Sequence, residues 1–314
     1  MSANKASVPH RRLGIIILNY NGAGLTRRCV ESVLEHTPSA LDYSILVVDN
    51  GSRPEDRDAL APLGDDPRVQ VVYSRNNLGF GGGHMFGLQF VRADYYLFLN
   101  SDCRFLGDAA GALVAFMDGH PSAGLASALS FDTGGQFQCT YHPAPNLAEL
   151  LLGRAAMRRF QPARFPDRRR APEHPIQTEV VTGATLFVRG QAFDELGGFD
   201  PFFFLYCEEE DLALRMREAG WEVWVVPEAR IEHAGRGSTP RGMAYRREFF
   251  ISFLYYLRKH HGFAGALAIR WFYVLKMLRR ARRDREALSL ALFILRGAPA
   301  GESLRYSPGR QKAD

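Results

Sequence analysis

Residues 13–52 read LGIIILNYNGAGLTRRCVESVLEHTPSALDYSILVVDNGS. The run Leu13 to Leu18 is apolar and short, as a buried strand is. A helix is expected over Leu25 to His36, because it begins after the turn-forming Asn21-Gly22 pair and stops before Pro38. A second strand is expected over Tyr43 to Val48. Strand, helix and strand in this order form a βαβ unit, which needs a parallel sheet with helices on its faces. Further strands are expected over Val69 to Tyr73 and Tyr95 to Leu99.

Each of these strands ends in a polar cluster: Asn19-Tyr20-Asn21, Asp49-Asn50-Gly51-Ser52, Asn76-Asn77 and Asn100-Ser101-Asp102. In an open α/β sheet the ligand crevice lies beyond the carboxyl ends of the strands, so the clusters are expected to converge on one site. Farther along, Gly153 to His174 is rich in Arg and Pro and reads as a long irregular loop, either a lid or a solvated linker. Order is expected to return over Val180 to Val188, followed by a helix around Gln191 to Leu196. An acidic turn, a helix from about Asp211 to Ala219 and a strand over Trp221 to Val226 follow.

With 314 residues, 46% of them hydrophobic and 23% charged, the chain can bury a core, which excludes disordered, collagenous and disulfide-stapled classes. Cys29, Cys103, Cys139 and Cys207 are far apart and form no CxxC pair, as expected of reduced, cytoplasmic thiols. The net charge is +5. The stretch from Ala264 to Asp314 holds eleven Lys/Arg against four Asp/Glu, a net of +7, so the preceding residues carry −2. In FAGALAIRWFYVLKMLRRARRDR the cations interleave with apolar residues, which suits an amphipathic helix on an anionic membrane surface or one packed on the body with a solvated basic face. Arg270 and Lys276 interrupt the run and argue against a membrane span.

Two glycine-rich segments invite a dinucleotide reading and fail it. Asn21-Gly22-Ala23-Gly24-Leu25-Thr26-Arg27 places Arg27 where the third glycine is needed, and Gly79-Phe80-Gly81-Gly82-Gly83 lacks the spacing. The acids are more informative. Asp102, just past an apolar strand, can reach a divalent cation that also holds substrate phosphates, although an Asp there also serves as a turn residue. Asp49 occupies the equivalent place after another strand and could accept from a base with an N–H donor. In Tyr206-Cys207-Glu208-Glu209-Glu210-Asp211 four carboxylates follow an aromatic run, and mutual repulsion with partial desolvation would raise some of their pKa values toward general-base use.

Seven motifs taken in order resemble the inverting family 2 glycosyltransferases of GT-A fold, and most of all their rhamnosyltransferase branch. They are LNYN (18–21), VDNGS (48–52), NNLGFGGG (76–83), LNSD (99–102), TGATLFVR (182–189), GGFDPFFFLYCEEEDLALR (197–215) and H-x-x-x-G-S (233–238). The resemblance implies an α/β GT-A fold with a nucleotide-binding, mostly parallel sheet flanked by helices and C-terminal amphipathic helices. Residues 1–262 would form the transferase domain, with a donor half at about 13–128 and an acceptor half at about 178–262; residues 263–314 would form a basic helical tail.

Carried over residue by residue, the resemblance implies that Asp49 meets the base and that Asn77 and Gly79 line the nucleotide pocket, beside Asn19, Asn21, Asn100 and Ser101 at the strand ends. Asp102 would be the metal-binding end of an abbreviated DxD motif with Asn100 in place of the first Asp, and His233 would complete metal or diphosphate binding. The metal would be Mg²⁺ or Mn²⁺. Glu209 stands where the family has the Asp of a Glu-Asp pair, so Glu208 and Asp211 remain alternatives for the base. His84 replaces a common Asn. The implied reaction moves a sugar from a dTDP- or UDP-sugar, dTDP-L-rhamnose by branch, to a glycan or lipid-linked glycan at the cytoplasmic membrane face. The alternatives are a non-catalytic nucleotide- or glycan-binding protein of the same fold and a nucleic-acid binder; the latter finds few stacking aromatics in the Arg-rich loop.

Overall fold

The computed structural model describes residues 10–144, 147–162, 164–165, 168–235 and 242–306. The opening unit is strand β1 (His10–Asn19), helix α1 (Ala23–His36) and strand β2 (Tyr43–Asp49), followed by α2 (Pro54–Leu60), β3 (Val69–Tyr73), α3 (Gly79–Gly87) and β4 (Arg92–Asn100). Both β2 and β4 pair in parallel with β1, and β3 pairs in parallel with β2, so this half is the sheet that the alternating sequence demands. The four strands expected here are present: β3 has the expected bounds, and β1, β2 and β4 are longer by one to three residues at an end.

Beyond β4 come β5 (Cys103–Phe105), α4 (Ala109–Gly119), β6 (Ala123–Phe131), β7 (Phe137–Gln138), β8 (Tyr141–His142), α5 (Leu147–Leu152) and α6 (Arg154–Phe160). Then follow β9 (Ile176–Gln177), β10 (Val180–Val181), β11 (Thr185–Arg189), α7 (Gly190–Glu195), α8 (Glu208–Glu218) and β12 (Glu222–His233). The main sheet runs β3-β2-β1-β4-β11-β6-β12-β5. Strand β11 is antiparallel to both its neighbours, whereas β6 and β12 pair in parallel. Alternate residues of β1 feed two cores. Leu13, Ile15 and Ile17 pack with Cys29, Val30 and Val33 of α1 and Leu113 and Met117 of α4. On the opposite face Ile16 shares a core with Phe193 of α7 and Leu212 and Met216 of α8.

Three expectations are corrected. The Arg-rich stretch is not irregular throughout, because it opens with α6 and is fastened by the Arg164–Glu179 ion pair. The ordered run expected over Val180 to Val188 is divided into β10 and β11 by the loop 182–184. The strand expected to stop at Val226 continues to His233; a register shift between Val226 and Arg230 absorbs Pro227, which lacks the N–H a ladder needs.

The chain closes with α9 (Met243–Ala281) and α10 (Arg285–Leu295). Gly262 interrupts α9 with φ 70° and ψ 177°, a backbone that favours glycine. The tail is packed rather than loose. Ile269, Val274, Met277, Leu290 and Ile294 share a third apolar cluster with Phe203, Phe250, Phe253 and Leu257.

Candidate active site

The carboxyl ends of β1 and β2 are knotted together. Asn19 is buried; its Nδ2 donates to Asp49 Oδ1 (3.1 Å), Ser52 Oγ (3.1 Å) and Asp56 Oδ2 (2.8 Å), and its Oδ1 accepts from the Thr26 hydroxyl (2.8 Å). Asp49 is fully buried and also meets Arg57 Nε at 3.5 Å. The Arg57 guanidinium lies 4.8 Å from the ring centroid of half-exposed Tyr73 at the end of β3. Asn21, at φ 53°, accepts from Arg53 N through its side chain. Arg57, Asp56 and Thr26 carried no motif, because their roles come from the buried Asn19–Asp49 pair that they surround.

Asn50 ties this knot to the glycine-rich segment: its Nδ2 donates to Asn77 Oδ1 and to the Gly79 carbonyl, both at 3.0 Å. Gly79 has φ 77°, and a Cβ there would sit 2.1 Å from the carbonyl oxygen of Phe204. Only glycine fits where the segment before the acidic turn crosses the start of α3. Phe80 N donates to the same Phe204 carbonyl (2.8 Å), which secures the crossing. His84 points into the core between Phe80 and Phe98, and burial lowers its pKa to about 3, so it is neutral.

Asn100 ends β4, and Ser101 and Asp102 form the turn into β5, with the Asp102 side chain buried. His233, the last residue of β12, pairs in register with Cys103, and this brings its Nε2 to 3.3 Å from Asp102 Oδ1. Ligand atoms of Asp102, Cys103 and His233 all lie within 4.8 Å of one another. Burial holds the Cys103 thiol well above its ordinary pKa, and its Sγ donates to the Ala184 carbonyl at 3.5 Å. The carboxylate and the imidazole are a donor set that fits Mn²⁺ or Mg²⁺ when phosphate oxygens complete it. Gly237 and Ser238 of the H-x-x-x-G-S motif lie outside the described residues.

The loop 182–184 joins this pair to the acidic turn. The Ala184 carbonyl accepts from Asn100 N at 3.1 Å, while neighbouring Gly183 faces Glu209, whose Oε1 lies 3.5 Å from where a Gly183 Cβ would be. Tyr206 and Cys207 both have left-handed backbones (φ 73° and 66°), which turn the chain so that α8 begins at Glu208, three residues earlier than expected. Burial raises the pKa of all three glutamates. Glu208 and Glu210 stand well above the usual range, with the charge of Glu209 as a further cause. Glu209 is raised less, because Gly183 and the Glu210 carboxyl hydrogen-bond to it and favour its charged form. Glu210 also lies 4.0 Å from His142 Nε2.

Asp211 is placed elsewhere. It bonds Arg215 Nε (2.7 Å), Lys259 Nζ (2.6 Å) and His260 Nε2 (2.8 Å), and these partners hold its pKa below the ordinary carboxylate value against the effect of burial. These ion pairs make Asp211 a latch between α8 and α9 and favour its charged form.

Comparisons with known proteins bear on the family and the fold. The chain is 29% identical over 272 residues to the N-acetylglucosaminyl-diphospho-decaprenol L-rhamnosyltransferase of Mycobacterium tuberculosis, covering 76% of this chain and 86% of the relative. It is 25% identical over 233 residues to human polypeptide N-acetylgalactosaminyltransferase 14, covering 72% of this chain and 41% of that one. Among solved structures, the mannosyltransferase PcManGT of Pyrobaculum calidifontis in complex with GDP-Man and Mn²⁺ superposes with a TM-score of 0.57 at 15% identity, over 96% of this chain and 79% of that one. GalNAc-T7 with UDP, GalNAc and Mn²⁺ gives 0.54 at 17% identity, over 80% of this chain and about half (51%) of that one. Residues 14–197 match the profile of glycosyl transferase family 2, which is more than half the chain. With its curled α/β sheet, its strand-end site and this match, the chain is a glycosyltransferase of GT-A fold and belongs to glycosyl transferase family 2.

Proposed function

We propose that this chain transfers a sugar, with inversion, from a dTDP- or UDP-sugar to a hydroxyl of a lipid-linked glycan, with dTDP-L-rhamnose as the first donor to test. The observation that carries the reading is the Asp102–His233 pair, joined through Gly183 and Ala184 to Glu209. The mycobacterial relative's name supports rhamnose and a lipid diphosphate acceptor. In this reading residues of about 13–128 hold the donor, with the base against Asp49 and the diphosphate near Asn100 and Ser101, and residues of about 178–262 receive the acceptor.

Asp102 and His233 would hold a Mg²⁺ or Mn²⁺ ion, whose chemistry when bound is to neutralise charge on the leaving diphosphate. Glu209 acts as the base. Its carboxylate takes the proton of the acceptor hydroxyl as that oxygen bonds to the anomeric carbon, and the carbon–oxygen bond to the diphosphate breaks with its electron pair on the diphosphate. One displacement inverts the centre. Burial makes Glu209 more basic than a solvated carboxylate, while its hydrogen bond with Glu210 favours its charged form. The four free cysteines suit a reducing, cytoplasmic setting.

The test is transfer itself. Purified chain, Mn²⁺, dTDP-L-rhamnose and a synthetic N-acetylglucosaminyl diphospho-lipid should yield a lipid-linked disaccharide with inverted anomeric configuration. Equal transfer from GDP-mannose, or product with retained configuration, contradicts the reading.

A further inference from the structure

The part of α9 beyond Gly262 and α10 form a helical hairpin, with Arg270 donating to the Leu295 carbonyl and Met277 facing Leu290 across a shared groove. One face of each helix is buried in the third apolar cluster, which also holds Phe203 and Cys207, so the hairpin is anchored to the segment that carries the acidic turn. The outward faces are apolar as well. On α9 Trp271, Leu275 and Leu278, and on α10 Leu288, Leu292 and Leu295, recur at i, i+4 and i+7 with exposures between 37% and 53%. Single exposed apolar residues need no explanation, but five leucines and a tryptophan at helical spacing on two adjoining helices are a surface built to be covered.

What covers it is indicated by the charge at the hairpin tip. Arg279, Arg280, Arg282, Arg283 and Arg285 fall within seven residues, all are exposed, and none forms an ion pair with a described residue. Cations of one sign crowded at the end of an apolar stripe repel one another and call for a polyanionic surface with an apolar interior beside it. No helix among the described residues is long and apolar enough to cross a membrane, so the element would lie along the interface. A second copy docking through the same face would bring two arginine clusters together.

We propose that the hairpin seats the chain on an anionic lipid surface, with the leucine and tryptophan stripes at the headgroup–acyl boundary and the arginine tip among the headgroups. This does not depend on the glycosyl-transfer reading, and nucleotide binding in free solution is independent of it. The test uses the full chain with vesicles of phosphatidylcholine containing about 30% phosphatidylglycerol, against pure phosphatidylcholine, read by co-sedimentation and by quenching of tryptophan fluorescence with brominated lipid. The chain should partition at least tenfold more strongly onto the anionic vesicles. The quadruple Arg279/280/282/283→Gln variant should lose most of that preference, and Leu275→Ser with Leu288→Ser should weaken partition with the circular dichroism spectrum unchanged. Trp271→Phe should remove most of the quenching. Equal partition onto both vesicles, binding indifferent to these substitutions, or a solution dimer that the Leu→Ser pair dissolves would overturn the proposal.

Discussion

The Nε2 of His233 lies 3.3 Å from Oδ1 of Asp102, although 131 residues separate them, because the end of β12 pairs with β5 directly after the β4 turn. A strand register therefore sets the candidate metal site. Asp102→Asn keeps the shape and removes the charge. It should abolish measurable Mn²⁺ binding by calorimetry while the melting temperature stays within a few degrees; Mn²⁺ affinity equal to that of the parent chain would take Asp102 out of the site.

Glu209→Gln should lower kcat by about 10²–10⁴-fold with donor affinity nearly unchanged, the range a positioned base contributes. Since burial raises the Glu209 pKa, the acid limb of kcat/KM in the parent should fall above the ordinary glutamate value. If the rate moved instead with Glu208→Gln alone, the base would be that residue.

Asp211→Ala should act on stability. It leaves Arg215, Lys259 and His260 facing one another around a buried site, and loss of one partner from such a network costs about 3 kcal/mol. Because the folded-state pKa of Asp211 is lowered, its contribution is complete above the unfolded pKa and is lost as pH falls. Urea unfolding at pH 7 should show the full loss, and parent and variant should converge toward pH 3.

The first four strands were legible because their signals are local: apolar runs give β1 to β4, and polar clusters mark where they end. The acidic turn was legible as chemistry but not as shape. Its left-handed Tyr206 and Cys207 answer to the crossing of Phe204 over Gly79, a contact between segments 125 residues apart. The role of Asp211 was hidden for the same reason, since Lys259 and His260 reach it from a distant helix. In the tail the sequence showed a basic amphipathic pattern, whereas the division into one buried and one exposed apolar face appears only once α9 and α10 pack.

His84 is shifted by burial like the glutamates, but in the opposite direction. Its folded pKa is lowered to about 3, so below the unfolded value of about 6.5 the unfolded chain binds a proton that the folded chain refuses. Stability therefore falls as pH drops from 7.5 to 5.5, by about 1 kcal/mol from this residue. His84→Phe, which suits a site lined by Phe80, Phe98 and Phe199, should flatten that part of the profile in chemical denaturation. An unchanged slope would mean that the imidazole is protonated in the fold.

Thermal melting of the full chain with dTDP, UDP, GDP and CDP, each with and without Mn²⁺, brings the donor knot and the Asp102–His233 pair into one experiment, because a ligand stabilises the native state according to its occupancy. A rise in melting temperature with dTDP or UDP that requires Mn²⁺ and disappears in Asp102→Asn is the predicted result. No nucleotide shifting the melt, or a shift indifferent to the metal and to Asp102, would contradict a metal-dependent nucleotide-sugar site at these strand ends.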